Sequence, residues 1–293
     1  MEIMRKKIRI GIIGAENTHT AGIAKTINVE KRIKGFSVDY VWGETEEYAI
    51  AAAKEGQIPN IVKKPIEMLG KIDALIVDHR HGKYHLKPAI PFVEKAIPCF
   101  IDKPFCFRST QGKDFLRYAK KCGASITSFS VIPKQKTFIS FKNKLQKSGD
   151  VLAGCMYGPA DLKSKWGGIF FYGIHQVDAV LNAFGYNVKK VLITGNGNGS
   201  IGQMIYDDGK IITLNFVKKG YHGFSINAMC TKGFVQQTII NDKNPYLNGI
   251  KTFTKMFETG IEPESYDNIL KPIQVLEAME KSVKSGKVEL VEG

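Results

Sequence analysis

No run of about 18 apolar residues occurs anywhere in the chain, which excludes a membrane-spanning helix of ordinary length. Arginine is scarce. Arg5, Arg9, Arg32, Arg80, Arg108 and Arg117 are the full set, and lysine supplies the rest of the 42 basic residues against 28 acidic ones. The resulting net charge of +14 is spread along the length with glutamates nearby. A nucleic-acid reader gathers its basic residues on one element and interleaves aromatics. A solvated lysine-rich surface, with some preference for anionic small molecules, is therefore expected, and no nucleic-acid partner. Cysteine is sparse as well: Cys99, Cys106, Cys122, Cys155 and Cys230 are scattered and form no Cys-x-x-Cys pair. That spacing excludes a zinc ribbon or redox dithiol and fits buried thiols in a reducing compartment. The first ten residues lack the apolar stretch of a secretory signal. A cytoplasmic protein without membrane association is expected.

What is present is the composition of a globular chain, 43% hydrophobic and 24% charged,. Its 293 residues suit two domains,. Through residue 125, strand-like segments (8–13, 37–42, 58–62, 73–77, 99–101 and 125–129) alternate with helix-like ones (18–29, 46–55, 65–69, 84–96 and 109–122). Six strands joined by helical crossovers predict an α/β fold, a doubly wound parallel sheet of the Rossmann type over 1–125. Its ligands would bind beyond the carboxyl ends of the strands. After 126 the rhythm changes. Helices are expected at 134–148, 174–184, 246–259 and 266–285, and strands at 151–157, 188–194, 200–206, 211–216, 223–230 and 233–240,. Asp207-Asp208-Gly209 signals a hairpin,. The segment 126–293 reads as a second domain built on an antiparallel or mixed sheet.

The first strand runs into Gly14-Ala15-Glu16-Asn17-Thr18-His19. In a dinucleotide-binding turn, glycines let the backbone approach a pyrophosphate seated on the helix N-terminus. Gly14 takes the first glycine position. Glu16 stands where the second belongs and His19 where the third belongs. Asn17, Thr18 and His19 offer hydrogen bonds to phosphate; Asn17 or Thr18 acting only as a helix cap is the alternative. Glu44, after the second strand, is placed to bond the ribose hydroxyls of NAD, and no arginine stands there for the extra phosphate of NADP,. NAD is favoured, with NADP open. Glu44 is equally readable as a first-turn acid of the next helix.

Further segments carry a resemblance. Tyr84-His85 follows the fourth strand, Asp102-Lys103-Pro104 the fifth. The second half has Gly167-Gly168-Ile169-Phe170-Phe171-Tyr172-Gly173-Ile174-His175-Gln176-Val177-Asp178, then Gly260-Ile261-Glu262-Pro263 and Ala278 to Gly286 near the end. In this order they resemble the Gfo/Idh/MocA oxidoreductase family, of the glucose–fructose oxidoreductase and inositol dehydrogenase type. The resemblance implies a Rossmann domain followed by an α/β domain with a large open sheet that commonly mediates dimers or tetramers. It implies hydride transfer between NAD(P) and a sugar, polyol or related small molecule. The family's Glu-Lys-Pro motif falls on Asp102-Lys103-Pro104, making Lys103 the lysine at the reacting hydroxyl, where a positive charge stabilises a developing alkoxide. His175 matches the family's proton-transferring histidine, and its ordinary pKa suits that work. Asp178 shares its helix face. Asp78, His79, His81 and Asp102 fall where the family contacts its cofactor.

Two departures stand out. Many members carry an aspartate four residues before the histidine; this chain has Phe171. Tyr172, Asp161 and Lys163 are the substrate-side candidates that remain. Together with Glu16, this keeps open a non-catalytic ligand-binding or sensor protein on the same fold. His79, His81 and His85 have metal-like spacing, but a polar cleft wall is the better reading and no metal is expected.

Overall fold

The computed structural model describes residues 7–195 and 199–292. The reading of the N-terminal leader rests on residues 1–6, which lie outside the described residues. Two compact units are formed. One holds the chain as far as Cys106, then Thr110–Phe129 and Tyr246–Tyr266; the other holds Phe107–Ser109, Ser130–Pro245 and the chain from Asp267. The sequence suggests contiguous halves meeting at 125/126, whereas the units exchange chain more than once.

In the first unit β1 (Ile8–Ile13), β2 (Phe36–Trp42), β3 (Asn60–Ile61), β4 (Ala74–Val77), β5 (Cys99–Ile101) and β6 (Ile126–Thr127) form one sheet in the order β3-β2-β1-β4-β5-β6. Every pairing is parallel. Parallel strands are covered on both faces, so the central ones are apolar throughout: Ala74, Leu75, Ile76 and Val77 are all fully buried. Helices α1 (Thr18–Ala24, continued by a π-turn over Lys25–Val29), α2 (Glu46–Gly56), α3 (Leu86–Val93) and α4 (Ser109–Cys122) make the crossovers. Asn28 locks the start of β2. Its amide donates to the Val38 carbonyl at 2.8 Å and its oxygen accepts from the Val38 N–H at 2.9 Å.

In the second unit α5 (Lys136–Leu145) precedes β7 (Val151–Pro159) and α6 (Phe170–Phe184). Then come β8 (Val188–Thr194), β9 (Gly199–Tyr206), β10 (Ile211–Val217), β11 (Phe224–Cys230) and β12 (Gly233–Ile239). The chain next forms α7 (Leu247–Thr259), α8 (Tyr266–Ser285) and the short β13 (Glu289–Leu290). The sheet order is β12-β11-β7-β10-β9-β8-β13. Only β7 and β10 pair in parallel; the other neighbours are antiparallel. The expected mostly antiparallel sheet is present, with Gly209 at φ +84° in the hairpin between β9 and β10. Alternate residues such as Met204, Ile212, Leu214 and Phe216 point inward and are buried,.

α7 belongs to the first unit because its apolar stripe is spent there. Ile250, Phe253, Met256 and Phe257 bury with Phe100 and Phe129, the rings of Phe100 and Phe253 stacking at 4.6 Å. The loop that follows is tied to β6: Glu262 accepts from the Ile126 N–H at 2.8 Å and Ser125 donates to the Gly260 carbonyl at 2.8 Å. α6 differs from the expected amphipathic helix. It starts at Phe170, and nearly every residue from Gly173 to Leu181 is buried, polar ones included. Gly173 lies against Leu276 of α8 and Phe216 of β10. Ser109 does not cap α4 as its sequence position suggests; its hydroxyl donates to Glu277. Among the described residues no helix is long and apolar enough to cross a membrane.

Candidate active site

The turn after β1 is built for close approach. Gly14 has φ +108°, and a Cβ there would lie 2.6 Å from the Asp78 carbonyl carbon, so only glycine fits. Asn17 is the N-cap of α1, yet its side chain makes no cap hydrogen bond. Its amide donates instead to Asp78 at 2.7 Å and Asp102 at 3.1 Å. The first-turn N–H groups of α1 thus lack the usual side-chain partner. Glu44 bridges the turn: one carboxylate oxygen accepts from the Ala15 and Glu16 N–H groups at 2.8 and 2.9 Å. The other meets His79 Nδ1 at 2.7 Å. Burial alone would raise the Glu44 pKa, but His79 and the turn's N–H groups overcome it and hold the carboxyl at about 2,. Glu16 contributes its N–H, and it is Glu44 that brings the anion.

Beneath the turn lies a buried polar cluster at the ends of β4 and β5. Asp78 is fully buried and Asp102 is 3% exposed. Thr20 reaches Asp78 at 2.6 Å and the Gly14 carbonyl at 2.7 Å, and His19 Nδ1 lies 3.0 Å from Asp102. Burial and the nearby Asp102 charge push the Asp78 pKa well up. Asp102 goes the other way: burial would raise it, but His19 and Lys103 outweigh that and lower it. Adjacent acids with opposed shifts share one negative charge between them. The ligand atoms of His19, Asp78 and Asp102 lie within 4.8 Å of one another, a spacing that a metal ion can span; here Asn17 and Thr20 satisfy the two carboxylates. Lys103 is only 6% exposed, its Nζ 3.7 Å from Asp102. His81 accepts from the Lys83 N–H at 3.2 Å and caps a 3₁₀ turn. His85 is fully buried between the carbonyls of Pro104 and His79, at 2.8 and 2.7 Å.

The second unit carries the other predicted residues. His175 is 7% exposed, held edge-on between the rings of Tyr172 and Phe224 at 5.6 and 5.9 Å. Ser130, just past β6, lies with its hydroxyl 2.7 Å from His175 Nδ1. Asp178 accepts from the Ser130 N–H at 2.8 Å. Ser130 is the residue sequence reasoning missed. Its only signal is a hydroxyl one position beyond the expected strand at 125–129, 45 residues before its partner. Tyr172 is 39% exposed. Asp161 pairs with Lys218 at 3.3 Å and accepts from the Lys163 N–H at 2.9 Å, so Asp161 and Lys163 sit together on the turn that follows β7. Phe171 packs on Trp166 and Tyr172.

Residues 8–129 match the model of the Gfo/Idh/MocA oxidoreductase family, described as an NAD-binding Rossmann fold. Solved structures extend the likeness to the fold of both units. A probable dehydrogenase from Thermotoga maritima superposes with a TM-score of 0.85 at 16% identity, over 97% of this chain and 99% of its own. Myo-inositol 2-dehydrogenase from Lactobacillus plantarum gives 0.85 at 16% identity, over 98% and 100%. Scyllo-inositol dehydrogenase from Lactobacillus casei, solved with NAD(H) and scyllo-inositol, gives 0.84 at 14% identity, over 98% and 99%. No curated protein matches the sequence.

The turn fits a dinucleotide on its own geometry. The Ala15 and Glu16 N–H groups converge on one carboxylate oxygen, the arrangement an anion needs. Gly14 lets the backbone come close, and the start of α1 has no capping side chain competing for its N–H groups,.

Proposed function

We propose that this chain is an NAD(P)-dependent dehydrogenase or reductase acting on a hydroxyl or carbonyl of a sugar, polyol or related small molecule. The observation that carries the proposal is the Gly14 turn, with its positive φ and uncapped helix start, in a segment that matches an NAD-binding family. Neighbours of the same fold that were solved with NAD(H) and inositols support the substrate class.

NAD, when bound, gives or takes the hydride. Gly14, Asn17, Thr18 and His19 receive its phosphates. Glu44 addresses a ribose hydroxyl, and its charge disfavours the extra phosphate of NADP. Lys103, nearly buried, donates to the reacting oxygen and stabilises the negative charge that grows there,. His175 is the proton-transferring residue that the family resemblance implies, and Tyr172, Asp161, Lys163 and Asp178 belong to substrate recognition.

A homodimer or homotetramer in the cytoplasm completes the proposal. Phe234 pairs with Met229, Met229 with Ala153, Ala153 with Ile211 and Ile211 with Ile205. This apolar row crosses the outer face of the second sheet, with Phe234 and Met229 about half exposed at 54% and 50%, as a self-associating sheet requires. Five cysteines without disulfides suit a reducing compartment,.

Fluorescence titration with NADH and NADPH, followed by turnover on a panel of inositols and sugars, tests the proposal. Saturable binding, with turnover abolished by Lys103→Ala, is the expected result. No binding of either dinucleotide at millimolar concentration overturns it. One observation favours a second reading, a ligand-binding protein without turnover: Glu44 already satisfies two N–H groups of the cradle. Binding without turnover on any panel member would select that reading.

A further inference from the structure

Phe171, four residues before His175, is packed in an aromatic cluster and brings no polar group to the imidazole. The second unit supplies a polar partner in Ser130. Ser130 is 1% exposed and His175 7%, so their contact is shielded from water. The Ser130 oxygen accepts from the Ile132 N–H at 3.1 Å and lies 2.7 Å from His175 Nδ1. Its N–H is fixed by Asp178 at 2.8 Å. A buried hydroxyl proton needs an acceptor, and Nδ1 is the one within reach.

We propose that Ser130 is the positioning residue of His175: its hydroxyl donates to Nδ1, so the neutral imidazole carries its hydrogen on Nε2. A carboxylate at Nδ1 would do the opposite. It would hold the hydrogen on Nδ1 and leave Nε2 as a proton acceptor. Exchanging the carboxylate for a hydroxyl inverts the polarity of the ring. Neutral His175 then carries a donor on Nε2 where a carboxylate-held ring carries an acceptor. Asp178 acts one step further back, by holding the Ser130 backbone so that its hydroxyl reaches the ring. This assignment of ring polarity rests on the proposed oxidoreductase reading only for its consequence in catalysis.

The test is long-range ¹H–¹⁵N spectroscopy of the full chain with labelled histidine, His175 being assigned by its loss in His175→Asn. In the unsubstituted protein, the Nε2–H tautomer should exceed the other by about tenfold, because the alternative leaves a buried hydroxyl unpaired. Nδ1 should show the shift of a hydrogen-bonded acceptor. Ser130→Ala should abolish that shift and bring in the second tautomer, Ser130→Thr should restore the original pattern, and Ser130→Asp should move the hydrogen to Nδ1. An Nδ1–H tautomer in the unsubstituted protein overturns the proposal, as do coincident spectra for it and Ser130→Ala. Should Ser130→Ala fail to fold, the unsubstituted and Ser130→Thr spectra decide. The spectra need neither dinucleotide nor turnover. A chain with the expected tautomer that transfers no hydride supports the Ser130 assignment and counts against the oxidoreductase reading alone.

Discussion

Replacing Glu44 by glutamine keeps the shape of the side chain and removes the charge that holds the Gly14 turn. The amide oxygen can still accept from Ala15 and Glu16, but as a neutral group, and its NH₂ replaces a carboxylate oxygen opposite His79. Hydrogen bonds to a charged group are worth about 1.5–3 kcal/mol against about 1 for neutral ones. The carboxyl pKa of about 2, against an ordinary 4.5, sets an upper bound of about 3 kcal/mol at about 1.4 kcal/mol per unit. The Glu44 side chain is 23% exposed, and solvent screening brings the expected loss to about 1.5–2 kcal/mol at pH 7. The folded-state pKa is depressed, so this stability is complete above pH 4.5 and is lost as pH falls towards 2. Urea unfolding of both proteins, at pH 7 and at steps below 4.5, gives the measurement. The gap should be widest at neutral pH and close on acidification. A gap under about 0.5 kcal/mol at pH 7, or one that does not change with pH, refutes the reasoning.

Other expectations follow from the same geometry. Gly14→Ala places a methyl against the Asp78 carbonyl at φ +108° and should cost about 2 kcal/mol, with loss of NADH binding in the same fluorescence titration. Lys103→Ala should lower turnover by about 100-fold or more while dinucleotide affinity stays within a few-fold. Phe253→Ala should cost about 3–4 kcal/mol, read as faster hydrogen exchange in β5, where Phe100 loses its stacked partner.

The alternation of strands and helices was legible because each parallel strand is a short apolar run closed by a polar or glycine turn, and Gly14 was legible because its position demands a residue without Cβ. The hairpin at Gly209 was readable for the same reason. Contacts made at long range were not. Glu44 meets Ala15 across 29 residues, and nothing local distinguishes an acid that spans a turn from one that starts a helix. Ser130 is one hydroxyl among many until β6 and α6 set it against His175. The burial of the polar residues of α6 depends on elements distant in sequence, such as β10 and α8 around Gly173. The return of α7 to the first unit was hidden for a related reason: an apolar stripe shows that a helix is covered, not what covers it.

That return has a consequence for how the protein is made. A ribosome delivers Phe100 and Phe129 long before Phe253 and Phe257, with β7 to β12 of the second sheet emerging in between. Until then the nascent Rossmann sheet carries bare aromatic rings. A gene cut after residue 129 would leave that wound permanently open, so the first unit is expected to need the segment Tyr246–Tyr266 to become soluble.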